Sequence, residues 1–267
     1  MFYNAKNENI QVNGGDFDYI SFGEGSDVLI MLPGVGDGFK TARGIAVPFA
    51  FMYAPFAKNF KVYVFSRRNN LPEGSSTADM ADDIDAIMEK LGIDEATVFG
   101  VSQGGMISQQ LAIRHPARVK KLVLAVTASR PNDLIKESIC SWLEMADRDD
   151  YSAIMLDTAK RSYTGKYLEK GIRMNKVLSM MKPKDYTRFK ILCRSCLEHD
   201  VYDRLSEITC PTFIIGAEKD LVVGGEASVE LHEKIPSSTL YMYEDYSHGV
   251  YEQAKDFNDR VLDWITK

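Results

Sequence analysis

Thr97-Val98-Phe99-Gly100-Val101-Ser102-Gln103-Gly104-Gly105-Met106 is the stretch on which the fold turns. An apolar, β-branched run ends in Gly-x-Ser-x-Gly, and a helix-like pattern follows at once. This is the nucleophile-elbow pattern, confirmed by its strand-then-helix context. A serine on so tight a turn must take strained backbone angles, so the residues two positions either side must be nearly free of side chain. Gly100 and Gly104 meet that need. The turn lifts the Ser102 hydroxyl from the sheet edge. It also sets the Gln103 amide at a helix N-terminus, where developing negative charge is favoured.

Outward from this stretch, strand and helix patterns alternate. Residues 9–22 alternate around Asn13-Gly14-Gly15-Asp16, the signature of a β-hairpin. Val28-Leu29-Ile30-Met31-Leu32 is continuously apolar, as a strand covered on both faces should be. It runs into the glycine-rich loop Pro33-Gly34-Val35-Gly36-Asp37-Gly38. A helix is expected across 49–60, and Lys61-Val62-Tyr63-Val64-Phe65 reads as a second buried strand. Ser76-Thr77-Ala78-Asp79 opens a helix with a capping box, and Gly92 stops it. After the elbow come a helix over 103–114 and a strand over 119–126. Residues 131–204 hold no strand pattern and are helical, charged, and rich in Met and Tyr. Strand pattern resumes at Pro211-Thr212-Phe213-Ile214-Ile215-Gly216, then a helix near 227–234, the strand Leu240-Tyr241-Met242-Tyr243 and an amphipathic helix over 257–265. Such alternation implies a mostly parallel sheet with right-handed crossovers. No internal repeat is visible.

The totals agree with one sizeable core. The 267 residues are 45% hydrophobic and 26% charged, with a net charge of −6. The acidic balance argues against nucleic acid or an anionic membrane as a partner. No apolar run approaches the roughly 20 residues needed to span a bilayer. The opening residues lack a basic region followed by an apolar core, so no signal peptide is expected. Four cysteines make no disulfide scaffold, and a cytoplasmic location is expected.

A serine nucleophile needs a base, and the base an orienting acid. The chain has four histidines. His115 precedes Pro116 at a helix end, His199 lies in the helical insert, and His232 lies within a helix. His248 sits in Asp245-Tyr246-Ser247-His248-Gly249, a loop between the last strand and last helix. Sites gather at strand ends on one edge of such a sheet, so His248 is the candidate base. With this elbow the acid falls between Ser and His in chain order. Gly216-Ala217-Glu218-Lys219-Asp220 follows a strand, and Asp220 is the candidate, with Glu218 and Asp245 as rivals. The oxyanion needs two donors: the Gln103 amide and, from the glycine-rich loop, the Val35 amide.

So read, nearly the whole chain resembles the α/β-hydrolase fold family in its capped, esterase-like branch. The carriers are Leu32-Pro33-Gly34-Val35-Gly36, Gly100-Val101-Ser102-Gln103-Gly104-Gly105, Ala112-Ile113-Arg114-His115-Pro116-Ala117-Arg118-Val119, Gly216 to Asp220, and His248-Gly249 followed by Glu252. The resemblance implies a central eight-stranded sheet with its first two strands antiparallel to the others. It also implies a core of 1–130 and 205–267 and an inserted helical cap at 131–204. Two departures stand out. The family usually carries His-Gly before the oxyanion residue, where this chain has Pro33-Gly34. The segment Ser66-Arg67-Arg68-Asn69-Asn70 lacks the usual Asp-x-Arg-Gly.

Weaker signals have plainer readings. Cys193-Arg194-Ser195-Cys196 has metal or redox spacing, but no partner set completes a zinc site, so it reads as a helical turn. Arg67 and Arg68 read as solvated surface, or alternatively as a site for an acidic substrate group. Asp79, Asp82, Asp83 and Asp85 read as a match to a helix N-terminal dipole. The cap's Met and Tyr residues divide between helix packing and an adaptable acyl pocket.

The expectation is a serine hydrolase of a small to medium carboxylic ester or related acyl compound, using Ser102, His248, Asp220 and the Val35 and Gln103 amides. It would need no metal or organic cofactor. Rival expectations are the same triad acting on a C–C bond, thioester or amide, and a ligand-binding receptor or scaffold with slow or no turnover. Substrate and oligomeric state are not legible at this level.

Overall fold

The computed structural model describes residues 2–267. Its eight strands are β1 (Lys6–Val12), β2 (Gly15–Phe22), β3 (Asp27–Leu32), β4 (Phe60–Phe65), β5 (Ala96–Val101), β6 (Val119–Ala125), β7 (Thr212–Ala217) and β8 (Ser238–Tyr243). They form one sheet in the order β1-β2-β4-β3-β5-β6-β7-β8. The helices are α1 (Ala46–Met52), α2 (Thr77–Leu91), α3 (Gln103–Arg114), α4 (Asp133–Asp147), α5 (Tyr151–Ser162), α6 (Gly165–Leu178), α7 (Thr187–Glu198), α8 (Gly225–Lys234), α9 (Val250–Gln253) and α10 (Phe257–Ile265).

The β1–β2 hairpin turns at Asn13 and Gly14, both at positive φ (48° and 73°), as a tight two-residue hairpin turn requires. β2 is antiparallel to β1 and to β4, and the pairs from β3 through β8 are all parallel. So β2 alone runs against the rest. The expectation that both first strands would oppose the sheet is corrected, because a tight hairpin reverses β1 relative to β2.

The continuous apolar runs are explained by cover on both faces. On β3, Ile30 and Leu32 face one core with Met80, Ile84, Ile107 and Leu111 from α2 and α3. Leu29 and Met31 face the opposite core with Ala46, Ala50, Phe257 and Val261 from α1 and α10. All six residues of β5 are buried, so the strand leading to the elbow is fixed from both sides.

The segment before β4 is not one helix across 49–60. α1 ends at Met52 and a 3-10 turn covers Ala54–Lys58, with Pro55 in its first turn. Pro55 has no amide proton to continue the α-helical ladder, so the chain re-starts there. α2 begins on the expected capping box, the Ser76 side chain bonding the Asp79 amide and Asp79 bonding back. It ends on Gly92 at φ 68°. Three of its aspartates do more than meet a dipole: Asp82 binds Arg114 and His115, Asp83 binds Arg68, and Asp85 binds Arg118.

Helices α4 to α7 lie between β6 and β7, and α4, α5 and α7 pack around a third cluster that includes Ile135, Ile139, Trp142, Ile154, Phe189 and Cys193. Met106 of α3 and Val222 after β7 join that cluster, so this helical layer rests on the strand ends that carry the elbow. Among the described residues no helix is long and apolar enough to cross a membrane.

Candidate active site

Ser102 stands between β5 and α3 with φ 53° and ψ −122°, a region few non-glycine residues enter. The strain is held by its neighbours. The Ser102 amide donates to Ala125 O at 2.9 Å, and Thr127 Oγ1 donates to Ser102 O at 2.7 Å. Val126 between them also has positive φ, 43°, uncommon for a β-branched residue. Sequence reasoning missed Val126 and Thr127, since neither residue type nor spacing marks them. The flanking glycines are obligatory by close approach. A methyl group at Gly104 would lie 1.8 Å from Leu32 O, and one at Gly100 would lie 2.4 Å from Gly104 O. The Ser102 hydroxyl caps no backbone amide of α3, which leaves it available for chemistry.

His248 lies in the loop after β8, 7% exposed, with Nδ1 2.8 Å from Asp220 Oδ2. Asp220, 3% exposed, follows β7; its Oδ1 accepts the amides of Val222 at 2.8 Å and Val223 at 2.9 Å. The carboxylate is thus aimed before the imidazole arrives. The rivals are elsewhere: Glu218 is exposed, and Asp245 is paired with Lys219 at 2.7 Å. The His248 loop is pinned from the helical layer. The Gly249 amide donates to Ser162 O at 2.7 Å, Tyr163 Oη donates to Glu252 at 2.6 Å, and the Ser247 hydroxyl donates to Arg161 O.

The other histidines have structural partners. His115 bonds Asp82 at 2.7 Å, and His232 bonds Ser238 at 2.8 Å. His199 is buried beside Thr77 Oγ1 at 2.9 Å, and burial pushes its imidazole down to about 4.

The glycine-rich loop abuts the elbow. A methyl group at Gly34 would lie 3.3 Å from Ser102 Cβ and 3.7 Å from its Oγ. Val35 begins a short 3-10 turn and Gln103 begins α3, so both amides are first-turn donors without an intrahelical acceptor.

Arg67 and Arg68 are not solvated surface, and neither is placed as a free cation for an acidic substrate. Arg68 makes a two-point pair with Asp83. Arg67 is 4% exposed and donates Nη2 to Pro33 O and, at 3.2 Å, to Gln103 Oε1. Gln103, fully buried, passes its own Nε2 to Leu192 O at 2.7 Å and Ser195 Oγ at 2.9 Å on α7. Arg188 of α7 binds Asp37 and the carbonyl of Arg67. Pro33 stands out in the sequence as a departure, but nothing local in the sequence marks Arg67 as the donor that takes its carbonyl. Cys193 and Cys196 are free and buried in α7, and burial pushes the Cys196 thiol up to about 12, so both are inert packing groups.

A cleft near 960 Å³, lined by Asp27, Asp94, Lys120 and Lys267 among others, lies where β3 and β5 begin, away from Ser102, Asp220 and His248. Those three all follow strand C-terminal ends, where ligands bind in open α/β sheets.

A model of the alpha/beta hydrolase fold matches residues 27–255. A Caulobacter sp. (strain K31) protein, named provisionally as the carbamate hydrolase RutD, is 27% identical over 220 residues. The match covers 78% of this chain and 81% of that one. A 2-hydroxy-6-oxononadienedioate/2-hydroxy-6-oxononatrienedioate hydrolase of Pseudomonas putida is 24% identical over 274 residues, covering 96% and 94%. The structure of MGS-M2, an alpha/beta hydrolase enzyme from a Medee basin deep-sea metagenome library, is similar with a TM-score of 0.84 at 24% identity, covering 97% of this chain and 98% of that one. With a matched model spanning most of its length, the chain belongs to the alpha/beta hydrolase fold family.

Proposed function

We propose that the protein is a serine hydrolase that cleaves a small to medium carboxylic ester, or a related acyl compound, by acyl transfer. The observation that carries the reading is the strained Ser102 on the same sheet edge as a buried His248–Asp220 pair at 2.8 Å. Ser102 Oγ attacks the substrate carbonyl, and His248 Nε2 accepts the hydroxyl proton. Asp220 keeps the other ring proton on Nδ1 and steadies the imidazolium. The carbonyl oxygen becomes an oxyanion facing the Val35 and Gln103 amides, each such donor being worth about 10²–10³ in rate. Collapse of the tetrahedral species breaks the C–O bond, and His248 returns its proton to the leaving alcohol. Water, activated by the same imidazole, then hydrolyses the acyl-enzyme and restores Ser102. No step calls on a metal or organic cofactor.

The helical layer at 131–204 acts as the cap, with 1–130 and 205–267 as the core. The partner is a small molecule, and four free thiols support a cytoplasmic setting. A second reading, the same triad on a C–C or carbamate bond, is favoured by the names of the two relatives. Turnover of p-nitrophenyl esters of graded acyl length by wild type and by Ser102→Ala tests the proposal. We expect hydrolysis by wild type and its loss in the folded variant. Equal hydrolysis by both overturns it. Turnover confined to a vinylogous diketone or a carbamate moves the activity to the second reading. Tight binding without turnover assigns a receptor instead.

A further inference from the structure

We propose that Arg67 is a positioning residue for the oxyanion hole, one guanidinium edge holding the Pro33 carbonyl and the Gln103 side chain together and so fixing the two amides that face the oxyanion. The inference rests on the acyl-transfer reading and names what orients that site's donors.

The two donors come from distant parts of the chain, the loop after β3 and the start of α3. Arg67 Nη2 meets both: it donates to Pro33 O, in the loop leading to Val35, and to Gln103 Oε1 at 3.2 Å. Gln103 is fully buried, so fixing its side chain fixes the residue whose own amide heads α3. Donors stabilise a transition state best when aimed beforehand, because no reorganisation is then needed during the reaction. Pro33 itself offers a carbonyl and no side-chain donor, so the loop's tie must come from elsewhere.

Charge gives the second argument. Arg68 pairs with Asp83, and Arg188 pairs with Asp37. Asp37 also accepts the backbone amide of Arg67 at 2.9 Å, but among the described residues no carboxylate forms a salt bridge with the Arg67 side chain. Its Nε and Nη1 are buried without partners among the described residues. Burial lowers the guanidinium to about 10, so it stays charged at neutral pH. An unpaired buried cation is costly. The charge of Arg67 is met by the nearby Asp37 carboxylate, without a salt bridge, and by the Pro33 and Gln103 oxygens, so its buried donor edge is spent on the two segments that carry the oxyanion donors.

The test compares wild type, Arg67→Met and Arg67→Lys, each checked for folding by circular dichroism. For each, kcat and KM are measured on an ester that wild type turns over. So is the affinity for an aliphatic trifluoromethyl ketone, which forms an oxyanion adduct with serine. Arg67→Met is expected to lose about 10²-fold in kcat with KM within threefold, and to bind the ketone weaker by a matching factor. Arg67→Lys keeps the charge but reaches one acceptor, so an intermediate loss of about tenfold is expected. A folded Arg67→Met with wild-type kcat, or with lowered kcat and unchanged ketone affinity, overturns the assignment. If Arg67→Met does not fold, a folded Arg67→Lys with wild-type kcat overturns it equally. Fluorophosphonate labelling of wild type separates the two claims. No adduct on Ser102 sinks the acyl-transfer reading itself, whereas a labelled wild type with fully active Arg67 variants sinks only the role of Arg67.

Discussion

Asp220 holds His248 Nδ1 at 2.8 Å with one carboxylate oxygen while the other accepts the Val222 and Val223 amides. The pairing is directional. Two fixed amides orient the carboxylate, and the carboxylate fixes which imidazole nitrogen carries the proton. Asp220→Asn keeps the shape but can present an N–H to Nδ1 and so favour the wrong tautomer. We expect kcat to fall roughly 10³–10⁴-fold with the fold intact, as in triads of this kind. Steady-state kinetics with circular dichroism checks it, and a folded Asp220→Asn variant within tenfold of wild type contradicts the pairing's role.

Two glycines near Ser102 should respond in opposite ways. Gly104→Ala places a methyl 1.8 Å from the Leu32 carbonyl, backbone against backbone, and is expected to destabilise by about 3 kcal/mol or more. Gly34 has φ −74° and ψ −167°, which alanine adopts readily, and its methyl would only crowd Ser102 at 3.3 Å. Gly34→Ala should therefore keep its urea midpoint and lose about tenfold in kcat, since sub-ångström misplacement of a nucleophile is expensive. The reverse pattern, a stable Gly104→Ala and an unfolded Gly34→Ala, contradicts the packing described.

Stability should carry a signature of His199. Burial lowers this imidazole from the ordinary 6.5 to about 4, so the folded state binds fewer protons than the unfolded state between those values. The contribution is present in full above pH 6.5 and is lost as pH falls towards 4, with a slope of up to about 1.4 kcal/mol per pH unit. Urea denaturation of wild type and His199→Gln across pH 4 to 7 tests this. The variant should show a flatter dependence, and identical slopes contradict it.

What was legible beforehand was local. The elbow, its strand and helix, and the capping box of α2 announce themselves because glycine spacing and apolar periodicity act over a few residues. α3 occupies Gln103–Arg114, the span its pattern implied. What escaped depends on distant parts of the chain meeting. Arg67 and Arg68 look like surface charge in sequence, yet Arg67 is enclosed by Pro33, Gln103 and α7, residues up to about 120 positions away. The break at Pro55 is legible in the sequence, because a residue without an amide proton cannot continue the helical ladder, and a single helix over 49–60 leaves that out of account. The direction of β1 follows from hairpin geometry rather than from the resemblance.

The central claim is that Ser102 is an activated nucleophile facing a formed oxyanion site. Intact mass spectrometry after exposure to a fluorophosphonate, on wild type and Ser102→Ala, tests it most directly. The account predicts one adduct on wild type and none on the variant. A folded wild type that takes no adduct, or a Ser102→Ala variant that labels equally, contradicts it.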